Sequence, residues 1–234
     1  MDRRVPLAGA IAFAVLSVFA VVVVPLGPGA DRPGTELVDH ITAHAGMIRL
    51  QALLTALALL AAVVVIGFAR ERIDGPPGYI FTVGAAVLIA QVGIQVWFNA
   101  GLALHPGTLD PTTVRTLADI SAMWGPLLTV AAVMMAGPVV WAARIGRFPR
   151  WMALIAAVFL VEQIVGMLTI VGPIGSFIAP GGPMAVIGGG ALFGVFFFAL
   201  GLAAGLPCPA PVRPEFAVGA EHFTASSRPG GGTA

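Results

Sequence analysis

The chain has no lysine, one cysteine and one tyrosine, and charged residues fill only 10% of its 234 positions. A soluble domain carries roughly 25% charged residues, so a water-soluble fold is excluded. Without lysine there is no glycine-rich phosphate loop closed by Lys-Ser/Thr. A net charge of +1 with no basic run leaves nothing to hold nucleic acid. The lone cysteine, Cys208, excludes an internal disulfide and a CxxC redox pair. None of the four histidines falls inside an apolar run, which excludes the paired axial ligands of a b-type cytochrome. No serine and histidine lie together in those runs to make an intramembrane serine protease. No cofactor is implied.

What is abundant is apolar. Hydrophobic residues make up 58% of the chain, gathered into six runs at 5–24, 47–69, 79–104, 121–143, 151–171 and 184–206. Each is near the roughly 20 residues that cross a hydrocarbon core. The expected fold class is all-α: a polytopic membrane helix bundle of six transmembrane helices with a short outer amphipathic helix at 36–45. Residues 1–206 form the transmembrane domain, and the Pro- and Gly-rich residues 207–234 form a disordered tail. Asp2-Arg3-Arg4 before the first run resembles a signal peptide, but the run is long and no small-x-small site closely follows, so a retained first helix is expected.

Punctuation between the runs supports these limits. Thr35 is suited to cap the outer helix, with Glu36 at the positive end of its dipole, and Gly46 joins it to the second span. Asp110-Pro111 reads as an N-cap followed by a first-turn proline. Pro126 and Pro138 are expected to kink the fourth helix. Gly190 and Gly194, then Gly201 and Gly205, stand four apart in the sixth span, a spacing that lets helix backbones approach and would suit a helix-packing partner. Arg3, Arg4, Arg70, Arg72, Arg144, Arg147 and Arg150 fall on one side of this topology and mainly Arg32 and Arg115 on the other. By the positive-inside rule both termini are cytoplasmic in a multi-pass protein of the cell membrane, with the lipid bilayer as its partner.

Few residues in the spans bear chemistry. Glu162 lies about 16 Å from one end of its apolar run and about 14 Å from the other. A carboxylate at that depth must face protein or water and needs a partner or a proton. Gln163 follows it. Gln91, Gln95 and Asn99 recur every four residues on the third span, turning only about 40° per step, so they form one polar stripe. Arg49 lies about a turn into the second span. Together these residues are candidates for a layer that binds a small-molecule ligand, although amide stripes also serve as interhelical glue. His40 and His44, at i and i+4, share a face with His105 on the same outer side, and Asp39, Asp110 or Asp119 would complete a weak zinc-like set.

The stretches ELVDHITAHAGMIRLQALLTALALLAAVVVIGFAR and TVRTLADISAMWGPLLTVAAVMMAGPVVWAARIGRFPRWMALIAAV resemble a broad group of uncharacterised six-helix actinobacterial integral membrane proteins. The features in common are His44 before the second span, Leu117 and Asp119 before the fourth, and Pro149-Arg150-Trp151 turning into the fifth. This resemblance implies fold and location. Three functional classes stay open: binding or transport of a small molecule through the layer around Glu162, an accessory membrane subunit, and a membrane enzyme with an outer His/Asp metal site.

Overall fold

The computed structural model describes residues 4–29 and 31–207, and every regular element among them is helical. In chain order these are α1 (Arg4–Val22), α2 (Gly34–Arg70), α3 (Gly75–Leu102), α4 (Pro111–Arg144), α5 (Arg150–Met167) and α6 (Gly190–Gly205). A 3₁₀ turn, Pro106–Thr108, precedes α4, another, Leu168–Val171, extends α5, and a π-helical turn, Met184–Gly189, leads into α6. The first five helices, α5 taken with its 3₁₀ turn, are long and apolar enough to cross a membrane, and α6 is a shorter apolar helix of 16 residues. The segment from Cys208 to Ala234, expected to be a disordered tail, lies outside the described residues, as do Met1, Asp2 and Arg3.

Each helix packs against the next in sequence, and α6 returns to α1, closing a ring in which α2 also touches α4 and α6. The chain runs up and down. Near one end Gly201 of α6 lies against Ala10 and Pro6 of α1, and at the other Gln51 of α2 donates to the Ala20 carbonyl of α1 at 2.8 Å. Large apolar side chains left on the surface fall into stripes. On α1 Leu7, Ile11, Val15, Val18 and Val22 are exposed at spacings of three and four, one face along the whole helix. So much uncovered apolar surface fits a lipid environment and not water.

The end that gathers the arginines is tied together by them. Arg147 and Asp74 form an ion pair at 2.6 Å between the α4–α5 and α2–α3 turns. Arg72 donates through Nη2 to the carbonyls of Ala204 and Leu206, both at 2.6 Å, satisfying acceptors that the last turn of α6 leaves without intrahelical partners. Its guanidinium also lies 5.7 Å from the centre of the Phe148 ring. Behind this collar Phe81, Met135, Phe148, Met152, Phe196 and Leu200 are fully buried.

The expected outer helix is set off from the second span by a kink. Residues 36–45 lie at the start of α2, in which two helices meet at His44, whose φ of −117° and ψ of 16° leave the helical range. The bend has a local cause: Nδ1–H of His44 donates to the His40 carbonyl at 2.9 Å, so a side chain enters the i to i−4 ladder. Gly46, expected to mark the joint, stays helical, since one glycine costs a helix only about 1 kcal/mol. Thr35 is inside the helix and Pro33 takes the cap position. Gly34 begins it there because the Pro111 carbonyl approaches so closely that no Cβ would fit. The Asp110 cap is as expected, with its Oδ2 accepting from the Thr113 amide at 2.8 Å.

Candidate functional site

Glu162 stands on α5 about 18 Å from Arg150 along the helix, close to half the thickness of a bilayer core. The buried face of α5 is Met152, Ala156, Phe159, Gln163 and Gly166, and Glu162 flanks it, half-buried. Neighbours in a helix point about 100° apart and do not ordinarily meet. Here Gln163 turns into the bundle and Glu162 bends across to it, so that Gln163 Nε2 donates to Glu162 Oε2 at 2.6 Å. No ion pair reaches Glu162 among the described residues.

Glycines make the room for the carboxylate. A Cβ on Gly189, in the π-helical turn, would sit 3.3 Å from Glu162 Oε1, and one on Gly166 would sit 3.9 Å from the same atom and 3.4 Å from the Thr129 methyl. Across from them α4 contributes Gly125, Pro126 and Thr129. Pro126 has no N–H to give the Ala122 carbonyl, and the Thr129 hydroxyl donates to the Pro126 carbonyl. These groups enclose a cavity of about 240 Å³ with Glu162 and Gln163 on one wall, Thr129 and Thr169 beside them, and Val92, Leu128 and Phe193 making it otherwise apolar. The π-helical turn in its wall is a widened backbone of the kind that recurs at functional sites.

The surroundings are asymmetric. Toward the arginine end Phe159 stacks on Phe196 with ring centres 4.5 Å apart, and Phe193, Phe197 and Phe13 continue the aromatic layer. Toward the far end a second cavity of about 290 Å³ follows along the same α4–α5 groove, lined by Ala122, Met123, Ile170 and Gly172, with the Arg115–Asp119 ion pair at 2.7 Å on its wall. A small molecule at this level would meet packed aromatics on one side of Glu162 and an open groove on the other. A carboxyl paired with an amide in this setting can exchange a proton, accept from a donor on a ligand, or balance one positive charge.

The other residues singled out from sequence are distributed more widely. Gln91, Gln95 and Asn99 do not line the Glu162 cavity, although Val92 of the same helix does. The Gln91 main-chain carbonyl accepts from Trp124 Nε1 at 3.2 Å, bridging α3 to α4, while its side-chain oxygen is buried without a hydrogen-bond partner among the described residues. Gln95 faces α4 beside Ser121 and Trp124 in a gap of about 70 Å³. Asn99 borders a far-end cavity of about 350 Å³ together with His40 and Gln51. Arg49 is exposed on α2. His40 and His44 lie side by side, ring centres 4.6 Å apart, but His105 caps the separate 3₁₀ turn. No group of three His, Cys, Asp or Glu residues that could hold a metal ion occurs among the described residues.

The sequence reading passed over Thr129, Gly189 and Gln51. Thr129 and Gly189 had no signal beyond type, but Gln51, a lone amide in an apolar run, was visible. No protein-family model matches the chain, and neither a curated protein nor a solved structure matches it.

Proposed function

We propose that this integral membrane protein binds a small molecule at the polar layer around Glu162 and moves it across the cell membrane, with both termini cytoplasmic. The observation that carries the proposal is the position of the Glu162 carboxyl on the wall of an approximately 240 Å³ cavity at mid-bilayer depth, bedded on Gly166 and Gly189. A carboxyl kept only as glue between helices would be packed shut, whereas this one borders open volume of about the size of several water molecules or a small organic ligand. The arginine-rich collar supports the orientation, since short loops rich in arginine stay on the cytoplasmic side. On this orientation the groove beyond Glu162 faces outward and the aromatic layer inward. The likeness to six-helix actinobacterial membrane proteins agrees with the same location.

Dicyclohexylcarbodiimide, a small uncharged reagent that couples to protonated carboxyls in apolar sites, tests the proposal directly. Treated in native membrane vesicles and mapped by mass spectrometry, the protein should carry the adduct at Glu162, and the Glu162→Gln variant should carry none there. If Glu162 reacts only after the protein is unfolded, the cavity does not admit small molecules and the proposal fails.

A further inference from the structure

The connection between α5 and α6 presents apolar side chains that nothing among the described residues covers. Val171 is 81% exposed, Ile174 75% and Phe177 65%. No charged residue occurs between Glu162 and Pro207. A connection lying in water draws on Asn, Asp and Ser as well as Gly and Pro, and here Ser176 is the sole polar side chain between Val171 and Met184.

The exposed surface continues an apolar stripe along α5. Leu154, Val158, Val161 and Val165 on α5 and Leu168 at the start of its 3₁₀ turn are all exposed, and steps of three and four place them in one stripe. Val171 prolongs the stripe, and Ile174 and Phe177 carry it onto the connection. Depth agrees. Gly181 packs on Ala122, which stands about 33 Å along α4 from Arg144, against a hydrocarbon core about 30 Å thick.

Backbone groups decide between the core and its edge. In hydrocarbon every amide must be satisfied internally. The amides of Gly172, Ser176, Ala179, Gly182 and Met184 donate to carbonyls within the segment or at its start, and Pro173, Pro180 and Pro183 have no N–H to satisfy. The amides of Ile174, Gly175, Phe177, Ile178 and Gly181 have no such backbone bond among the described residues, so they need headgroups or water within reach. Partial satisfaction with wholly apolar side chains suits the boundary between headgroups and acyl chains.

We infer that residues 171–183 are seated in the membrane interface at the end opposite the arginine collar, with Val171, Ile174 and Phe177 inserted among acyl chains. The partner of this surface is lipid. The inference is independent of what the Glu162 cavity binds.

Site-directed spin labelling of the full chain tests it. After replacing Cys208, single cysteines at Ile174 and Phe177 are labelled in phosphatidylcholine vesicles, with Leu154 as the lipid-facing reference and Gly107 in the α3–α4 connection as the aqueous one. Collision with oxygen relative to a water-soluble nickel chelate should be several-fold higher at Ile174 and Phe177 than at Gly107, approaching Leu154. Values matching Gly107 would overturn the inference. A label shielded from both reagents would place a second copy of the chain on this face and would overturn it equally. All four positions are exposed, so labelling leaves the packed bundle untouched.

Discussion

Replacing Glu162 with alanine takes the acceptor away from Gln163, whose side chain is 6% exposed and whose Nε2 donates to that carboxyl alone. A buried donor left without a partner costs about 1–3 kcal/mol. Polar pairs inside membrane proteins average about 0.6 kcal/mol and reach about 1.7, because the unfolded chain in the bilayer finds partners too. Glu162→Ala should therefore destabilise by about 1.5 kcal/mol. Glu162→Gln keeps an acceptor oxygen at nearly the same place, so it should cost under about 0.5 kcal/mol while removing the titrating group. The decisive variant is the double change Glu162→Ala with Gln163→Leu, which removes both polar partners and should recover most of the loss. Equilibrium denaturation in mixed micelles, read by tryptophan fluorescence, measures these three and the Gln163→Leu single change. If the double variant is as unstable as the sum of its single changes, the 2.6 Å bond is not what holds Gln163 in place.

Two further outcomes follow from other contacts. A Cβ on Gly201 would lie 2.5 Å from the Ala10 methyl and 3.1 Å from both the Pro6 carbonyl and Val65; Gly201→Val should destabilise by about 1–3 kcal/mol or more in the same assay, whereas Gly194→Ala, with nothing within 4 Å, should be neutral or stabilising. The Thr113 amide and then its hydroxyl hold the Asp110 carboxyl below the usual carboxylate range. That stabilisation is present above the unfolded-state value and is lost as pH falls through the lower folded-state value, so the gap in thermal stability between wild type and Asp110→Ala should close below about pH 4; a gap independent of pH would show that the ionised cap contributes nothing.

The bundle was legible because its signals are local. Six apolar runs, the Asp110 cap and the arginine distribution each depend on a few adjacent residues, and the structure has a helix for every run. Prediction faltered where one side chain decides geometry at a distance from its own type. Gly46 looked like the joint in α2, but the bend comes from the His44 imidazole bonding to His40, which no propensity scale registers. Gln91, Gln95 and Asn99 lie four residues apart on the single helix α3. Which helix each faces depends on neighbours, so Gln95 meets α4 and Asn99 a cavity shared with α1 and α2.

The glycines of the sixth run show the same limit in sharper form. Their four-residue spacing suggested a packing groove, and Gly201 does press against α1, yet Gly190 and Gly194 meet nothing within 4 Å of a would-be Cβ. The glycine that touches the chemistry is Gly189, at no special spacing, and its use is to leave space for a carboxylate. A carboxyl at mid-membrane depth is costly wherever it faces lipid, and a methyl group at 189 would stand 3.3 Å from Glu162 Oε1, tight enough to push the carboxylate toward α5's exposed stripe or against Gln163. The π-helical turn that carries Gly189 widens the backbone at the same level. Glu162 is therefore tolerated because the segment opposite it has given up both its side chain and its regular helical winding. A side chain at 189 would narrow the cavity that Gly189 lines beside the carboxyl.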